Sequence, residues 1–410
     1  MSSSVIIDEF GVDGREAQDL VSQQPTQRGR RRGPSRLDTS SLAHWWWSVD
    51  TPMILIIAAL MAIGMVLLMA AGPSAAARIS GGMNSFHFPL RQAMFIIPAL
   101  AVIVGVSMMS PLQARRLGSL AFLGAGVSLI GVLLFAPEIN GAHRWFVIGS
   151  FMLQPSEFFK PGFIVVAAWM LSETRRRPQF PGVFIAMALF IFGVGLLALQ
   201  PDFGQACLLT AIWMVMFFVS GWNLAWLLTI GTGAAGLLAG GYYFSDHLAA
   251  RIQGFLDPAS EANYQVNKSI EAIAHGGLMG NAGDPANVKL QLPDAHTDFI
   301  FAVAGEHYGF FFCLLVIGLY AAFMLRAFYM AARSKSVFVQ CAVSGLGVLI
   351  GLQAFINMAV ALRALPAKGM TLPFISYGGS SLLAVALSAG LLLAFTRQAG
   401  PGRTRREIMP

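Results

Sequence analysis

A short segment around residue 298 carries the carboxylate whose surroundings best suit catalysis. Residues 293–299 read Pro-Asp-Ala-His-Thr-Asp-Phe, and a long apolar run follows them directly. Asp298 therefore stands where a polar segment enters a predicted membrane-spanning helix. A partly desolvated carboxylate can have a raised pKa and act as a general base. The alternative is that Asp298 caps the N-terminus of that helix, a position at which Asp is favoured.

Four further polar clusters lie at residues 140–160, 200–204, 264–277 and 365–379. Ionisable groups at a membrane boundary are costly, so each of them calls for a reason. The candidate substrate-binding residues taken from all five clusters are Arg144, Glu157, Lys160, Asp202, Gln265, Lys268, Ser269, His296, Thr297, Lys368 and Ser376.

The basic residues in this set suit a ligand that carries phosphate. Arg144, Lys160, Lys268 and Lys368 can make charge-assisted hydrogen bonds to phosphate oxygens. Apolar helices beside them would hold an acyl or isoprenoid tail. These residues therefore describe a lipid with a phosphate and a polar head.

Structural roles are the alternatives for several of these candidates. Arg144, Glu157 and Lys160 could instead form a buried ion network. Asp202 could cap a helix, and loop polarity alone could account for Gln265. No spacing of His, Cys, Asp and Glu indicates a metal site, and the three cysteines lie inside apolar runs.

The composition places the helices that position these residues in a membrane. Hydrophobic residues make up 56% of the chain and charged residues 11%, against roughly 25% charged in a globular protein. Runs of about 18 or more apolar residues indicate bilayer spans. We predict an all-α polytopic membrane protein with ten spans, at residues 53–72, 93–110, 118–136, 158–173, 183–199, 203–222, 224–244, 299–325, 337–362 and 378–395.

The basic residues orient these spans. Most of the 27 Lys and Arg residues fall in the two ends and in alternate short loops, which the positive-inside rule assigns to the cytoplasm. This arrangement predicts a disordered cytoplasmic tail at 1–44, a membrane domain at 45–397 and a cytoplasmic C-terminal tail at 398–410. The large loop at 245–298, between spans seven and eight, and all five polar clusters then face the periplasm. The net charge of +7 follows from this topology and indicates no nucleic-acid partner.

Three motifs resemble the SEDS family (shape, elongation, division and sporulation), and its cell-division branch in particular. They are Pro-Asp-Ala-His-Thr-Asp-Phe-Ile-Phe-Ala at 293–302, Gln-Pro-Ser-Glu at 154–157 and Leu-Pro-Phe-Ile-Ser-Tyr-Gly-Gly-Ser-Ser at 372–381. The resemblance covers residues 45 to 397, with the motifs in family order.

The resemblance implies a peptidoglycan glycosyltransferase that polymerises lipid II at the periplasmic face of the cytoplasmic membrane, at the division septum. The essential acidic residue of the family falls on Asp298 and its outer-loop lysine on Lys368. Its Arg, Glu and Lys of the second outer loop fall on Arg144, Glu157 and Lys160. The resemblance further implies a class B penicillin-binding transpeptidase and other division-complex membrane proteins as partners.

One carboxylate suffices for such a transfer, because diphosphate leaves without an acid, whereas glycosidases must protonate their leaving group. No cofactor is certain, although a divalent cation, Mg²⁺ or Mn²⁺, could neutralise the diphosphate. Three alternatives stay open: a transporter that flips lipid II, the elongation-type polymerase of the same family, and a scaffold for division proteins.

Overall fold

The computed structural model describes residues 40–78, 86–138, 143–149, 151–244, 249, 253–255, 257, 263–283, 288–366 and 369–397. It divides into two units, residues 1–47 and 48–410. Helix α1 (Ser41–Ser48) belongs to the first unit except for its last residue, and Ser40 caps it by accepting the Ala43 amide. Most of the predicted tail at 1–44, all of the tail at 398–410 and parts of the loop at 245–298 lie outside the described residues.

Helices make up most of the described residues of the second unit, which confirms the all-α polytopic fold. They are α2 (Thr51–Arg78), α3 (His87–Met108), α4 (Pro111–Phe135), α5 (Pro155–Arg176), α6 (Gly182–Leu199), α7 (Phe203–Val219), α8 (Leu224–Phe244), α9 (Tyr264–Gly276), α10 (Ile300–Tyr308), α11 (Phe310–Arg333), α12 (Val337–Ala361) and α13 (Gly379–Thr396).

Every one of the ten predicted spans overlaps a helix. Among the described residues, seven helices are long and apolar enough to cross a bilayer: α2, α3, α4, α6, α11, α12 and α13. Of the remainder, α5 carries charged residues near both ends, and α7 has only 17 residues. The count of ten spans therefore stays a prediction.

The eighth predicted span is not one continuous helix. It divides at Gly309, whose φ is +84°, into α10 and α11. A side chain at Gly309 would collide with the backbone of Gly280 and Leu278, and the Phe310 amide donates to the Gly277 carbonyl at 3.0 Å. The break thus makes room for the backbone of residues 277–280, which follow α9. The apolar sequence of this span does not predict that contact.

Helix α12 forms the centre of the bundle, where it packs against α5, α7, α11 and α13. Nearly all of its residues are buried. Between α4 and α5 the chain forms an antiparallel hairpin of β1 (Phe146–Ile148) and β2 (Phe151–Leu153), with Phe146 opposite Leu153. This hairpin carries the chain from Arg144 to the start of α5.

Candidate functional site

All five polar clusters meet at one cavity of about 880 Å³. Arg144, Asp202, Gln265, Asp298 and Tyr377, one from each cluster, all lie on its wall. Residues separated by more than two hundred positions in the chain are thereby brought together, as the predicted topology requires.

Asp298 lies on this wall at the entrance to α10. The helix begins at Ile300 with Phe299 in the N-cap position, so Asp298 stands one residue before the position that the capping alternative gives it. Its carboxylate faces Gly369, where an added Cβ would lie 3.5 Å from Oδ2. Asn357 Nδ2 donates to the Asp298 carbonyl at 2.8 Å and to the Met370 carbonyl at 2.6 Å.

Two wall segments, residues 292–299 and 369–378, are bound directly to each other. The Tyr377 amide donates to the His296 carbonyl at 2.9 Å, and the Ser376 hydroxyl donates to the Thr297 carbonyl. Gln92 of α3 donates to the Ser376 carbonyl at 3.3 Å. Thr297 lines the cavity, whereas Ser376 and His296 lie outside the lining and join the two wall segments by hydrogen bonds.

His296 packs among aromatic rings. Its ring centroid lies 4.2 Å from that of Phe88 and 5.6 Å from that of Tyr377. Burial lowers the pKa of His296, and Asp294 only partly opposes this effect. Within the part of the chain that the structure describes, Nδ1 of His296 is buried without a hydrogen-bond partner. The ring is therefore neutral near pH 7.

Lys160 belongs to a buried polar network. Its ammonium group donates to Glu157 at 2.9 Å, to Gln205 at 2.7 Å and to Gln353 at 3.3 Å, while Gln205 donates to the other Glu157 oxygen at 2.9 Å. Lys160 is 1% exposed. The interpretation of Lys160 as a phosphate contact does not fit this position, because the network encloses its charge. Glu157 both anchors the network and reaches the cavity wall.

Arg144 and Asp202 hold the turn between α6 and α7. Arg144 donates to the Gln200 carbonyl at 3.0 Å and to the Pro201 carbonyl at 2.7 Å. Asp202 caps α7 by accepting the Gln205 amide, which confirms the capping interpretation. Burial raises the pKa of Asp202, and the nearby Arg144 charge works against this rise.

The remaining candidates on α9 differ in position. Gln265 lines the cavity and donates to Asp294 at 3.5 Å. Lys268 lies outside the lining and pairs with Glu271 at 2.7 Å. Ser269 is also outside the lining; it is buried and donates to the Ala361 carbonyl at 2.8 Å, which fastens α9 to the end of α12. Lys368 lies outside the described residues.

Sequence reasoning missed Asn357 and Arg91, which both line the cavity. Asn357 lies inside the predicted span at 337–362, and Arg91 lies beside Gln92 just before the predicted span at 93–110, so neither belongs to the five polar clusters that supplied the other candidates. Asn357 is 2% exposed, and its Oδ1 has no hydrogen-bond partner among the described residues.

The described part of the cavity offers no ready-made metal site. No three His, Cys, Asp or Glu side chains among the described residues are grouped so that they could hold an ion. Mg²⁺, however, is often bound by one or two carboxylates together with substrate phosphates. The wall carboxylates fit a cation only in that shared mode.

Known proteins resemble the chain over nearly its whole length. The family model FTSW_RODA_SPOVE, described as "Cell cycle protein", matches residues 50–400. A Caulobacter vibrioides protein named "Probable peptidoglycan glycosyltransferase FtsW" is 41% identical over 364 residues, which cover 89% of this chain and 93% of that protein. A protein of the same name from Thioalkalivibrio sp. is 34% identical over 389 residues, covering 92% of this chain and 96% of that protein.

Solved structures give the same family. A chain from the work titled "Structural coordination of polymerization and crosslinking by a peptidoglycan synthase complex" matches with a TM-score of 0.69 and 28% identity, covering 86% of this chain and 98% of that one. The rod shape determining protein RodA of Thermus thermophilus matches with a TM-score of 0.64 and 28% identity, covering 86% of this chain and 97% of that one.

Proposed function

We propose, from the premise that this chain belongs to the FTSW_RODA_SPOVE family of cell cycle proteins, that it is a peptidoglycan glycosyltransferase. It polymerises lipid II into β-1,4 glycan strands. The observation that carries this proposal is the Asp298 carboxylate on the wall of a cavity that five polar segments build together.

The reaction needs one base and a good leaving group. The 4-hydroxyl of the acceptor sugar attacks the anomeric carbon of the donor, and the configuration inverts. As the new C–O bond forms, the hydroxyl proton passes to the Asp298 carboxylate. The bond from the anomeric carbon to the diphosphate oxygen breaks, and its electron pair leaves on undecaprenyl diphosphate. Because this leaving group is already a stable anion, no second carboxylic acid is required.

The developing charge on the diphosphate calls for cations near the reacting carbon. Arg144 is a basic residue on the wall, although two of its nitrogens already bind backbone carbonyls. A divalent cation, Mg²⁺ or Mn²⁺, would add neutralisation by binding diphosphate oxygens together with one or two wall carboxylates.

The same reasoning supports a location and a partner. The FtsW relatives favour a role in division at the septum over elongation. The positive-inside pattern supports a cytoplasmic membrane protein with both termini in the cytoplasm and the cavity open to the periplasm. A similar solved structure comes from a synthase complex that coordinates polymerization with crosslinking, which supports a class B penicillin-binding transpeptidase as partner within the division complex.

The test is lipid II polymerisation by the purified chain in detergent, compared with Asp298→Asn. Loss of a general base costs about 10²–10⁴-fold in rate, whereas lipid II binding and the unfolding temperature should stay near those of the unmodified chain. Glu271→Gln is the matched control, because Glu271 is an exposed carboxylate that pairs with Lys268. Normal glycan-chain production by Asp298→Asn would contradict the assignment.

A further inference from the structure

Arg91 lies on the cavity wall one turn into α3, beside His87 of the same helix. Residues four apart share a helix face, so both side chains emerge where the partial positive charge of the helix N-terminus is also felt. Gln92, the next residue, binds the backbone on both sides of Tyr377. The first turn of α3 is thus fixed to the loop at 369–378.

Tyr377 holds the Arg91 side chain. The guanidinium donates a hydrogen bond to the Tyr377 hydroxyl, and burial raises the pKa of that phenol against the opposing influence of Arg91. Tyr377 is therefore neutral at physiological pH, and a neutral acceptor leaves the guanidinium its positive charge. The Tyr377 ring packs edge-on against Phe88, with 5.2 Å between centroids, which limits its movement.

The same tyrosine is linked to the segment that carries Asp298. Its amide donates to the carbonyl of His296, two residues before Asp298. The cation and the carboxylate therefore belong to walls that are hydrogen-bonded to each other. Among the basic side chains of the five polar clusters, Arg144 binds the Gln200 and Pro201 carbonyls and Lys160 is enclosed with Glu157.

We propose that Arg91, positioned by Tyr377, binds the diphosphate of the lipid-linked donor and stabilises it as it leaves. The planar guanidinium can donate two parallel hydrogen bonds to phosphate oxygens. When the bond from the anomeric carbon to oxygen breaks, the electron pair and the added negative charge remain on the diphosphate that Arg91 holds. This inference rests on the proposed function and names the group that would serve the leaving diphosphate.

The test measures binding apart from turnover, in full-length Asp298→Asn protein purified in detergent. The probes are undecaprenyl diphosphate and undecaprenol, which differ only in the diphosphate. Adding Arg91→Gln should weaken undecaprenyl diphosphate binding about tenfold to a hundredfold and leave undecaprenol binding unchanged. Arg91→Lys keeps the charge but loses the two parallel N–H donors of the guanidinium, so diphosphate binding should weaken less than in Arg91→Gln. Tyr377→Phe should weaken diphosphate binding in the same direction.

A matched control exists at the other end of the bundle. Arg333 donates to the Tyr329 hydroxyl at 2.6 Å and is exposed, so it repeats the arginine–tyrosine pair away from the cavity. Arg333→Gln should bind both probes as the parent does. It should also polymerise lipid II normally in the otherwise unmodified chain.

The outcomes separate the two proposals. If folded Arg91→Lys and Arg91→Gln proteins bind undecaprenyl diphosphate as tightly as the parent, the role of Arg91 is overturned, even where the unmodified chain polymerises lipid II. If the unmodified chain makes no glycan with its partner present, the polymerase proposal fails, and the binding comparison still decides the role of Arg91. If Arg91→Gln does not fold, Arg91→Lys alone decides the role of Arg91. Diphosphate binding by Arg91→Lys as tight as by the parent would contradict binding through two parallel guanidinium hydrogen bonds.

Discussion

Two lysines in this chain each pair with a glutamate three residues away, and the pairs differ in burial. The Lys160–Glu157 side chains are 1% and 5% exposed, whereas those of Lys268 and Glu271 are 21% and 54% exposed. Removing one partner from a buried pair leaves an uncompensated charge in a medium of low dielectric. An exposed partner is readily solvated by water.

We therefore expect Lys160→Met to lower the free energy of unfolding by about 3–5 kcal/mol. Thermal unfolding in detergent should show this as a clearly lower midpoint. Lys268→Met is the control, with an expected loss below about 1 kcal/mol. Equal midpoints for the two variants would mean that the network at Lys160 contributes little to stability.

The neutral ring of His296 gives stability a pH dependence with a defined sign. Burial lowers the pKa of His296 below its ordinary value of 6.5, so the unfolded chain takes up a proton at a higher pH than the folded chain does. The contribution of His296 is complete above pH 6.5 and declines as the pH falls below that value. Midpoints measured between pH 8 and pH 5 should fall less steeply for His296→Gln. An unchanged slope would exclude this contribution.

At the scale of elements, arginines close the ends of helices to which they do not belong. Arg144 binds the carbonyls after α6, Arg175 binds the Ser220 and Gly221 carbonyls after α7, and Arg397 binds the last carbonyls of α3. Cations at helix C-termini are favoured by the helix dipole and by the unpaired carbonyls there. The positive-inside rule predicts only a side of the membrane for Arg175 and Arg397, and it does not predict the carbonyls that they bind.

A close approach between α2 and the 369–378 loop provides an element-scale prediction. A Cβ added to Gly64 would lie 2.8 Å from the Ile375 Cα and 2.8 Å from the Phe374 carbonyl oxygen. We expect Gly64→Ala to displace the 369–378 loop and to lower polymerisation. The contacts are backbone atoms, so a rotamer change of a side chain cannot relieve the collision and the loop itself must move. Chain length on gels with lipid II measures the effect.

Gly105→Ala is the control for that substitution. Gly105 lies inside α3, and an added Cβ there would meet nothing within 4 Å. Alanine favours a helix over glycine by about 1 kcal/mol, so this variant should keep full activity and stability. Equal activity of the two alanine variants would contradict the role given to the α2 contact.

The elements were predictable to different degrees for physical reasons. Long apolar runs predict helices because only their own backbone hydrogen bonds satisfy a chain in lipid, and every predicted span overlaps a helix. The break at Gly309 depends on which backbone packs beside it, and that contact is not encoded in hydropathy. Asp298 was found through its position in a polar cluster at a membrane boundary, whereas Asn357 and Arg91 lie outside the five clusters and reach the cavity only through the packing of α12 and α3.

At the scale of the molecule, one cavity must account for either glycan synthesis or lipid transport. In detergent, movement of lipid between leaflets has no meaning, whereas polymerisation can still proceed. We expect the purified chain to make glycan strands from lipid II in micelles, and to make more of them when a single-span class B transpeptidase is added. Leaflet exchange in vesicles without any glycan synthesis would favour the transporter instead.

The amide of Asn357 joins two carbonyls from different segments, at Asp298 and at Met370. A sugar substituent that displaces the 369–378 loop must therefore also shift the carboxylate that accepts the proton. An oversized substrate could still bind in the cavity, but the Asp298 carboxylate would then lie too far from the acceptor hydroxyl to accept its proton. We accordingly expect selectivity among glycan precursors to appear in kcat more than in KM, so that an ill-fitting precursor acts as a competitive inhibitor.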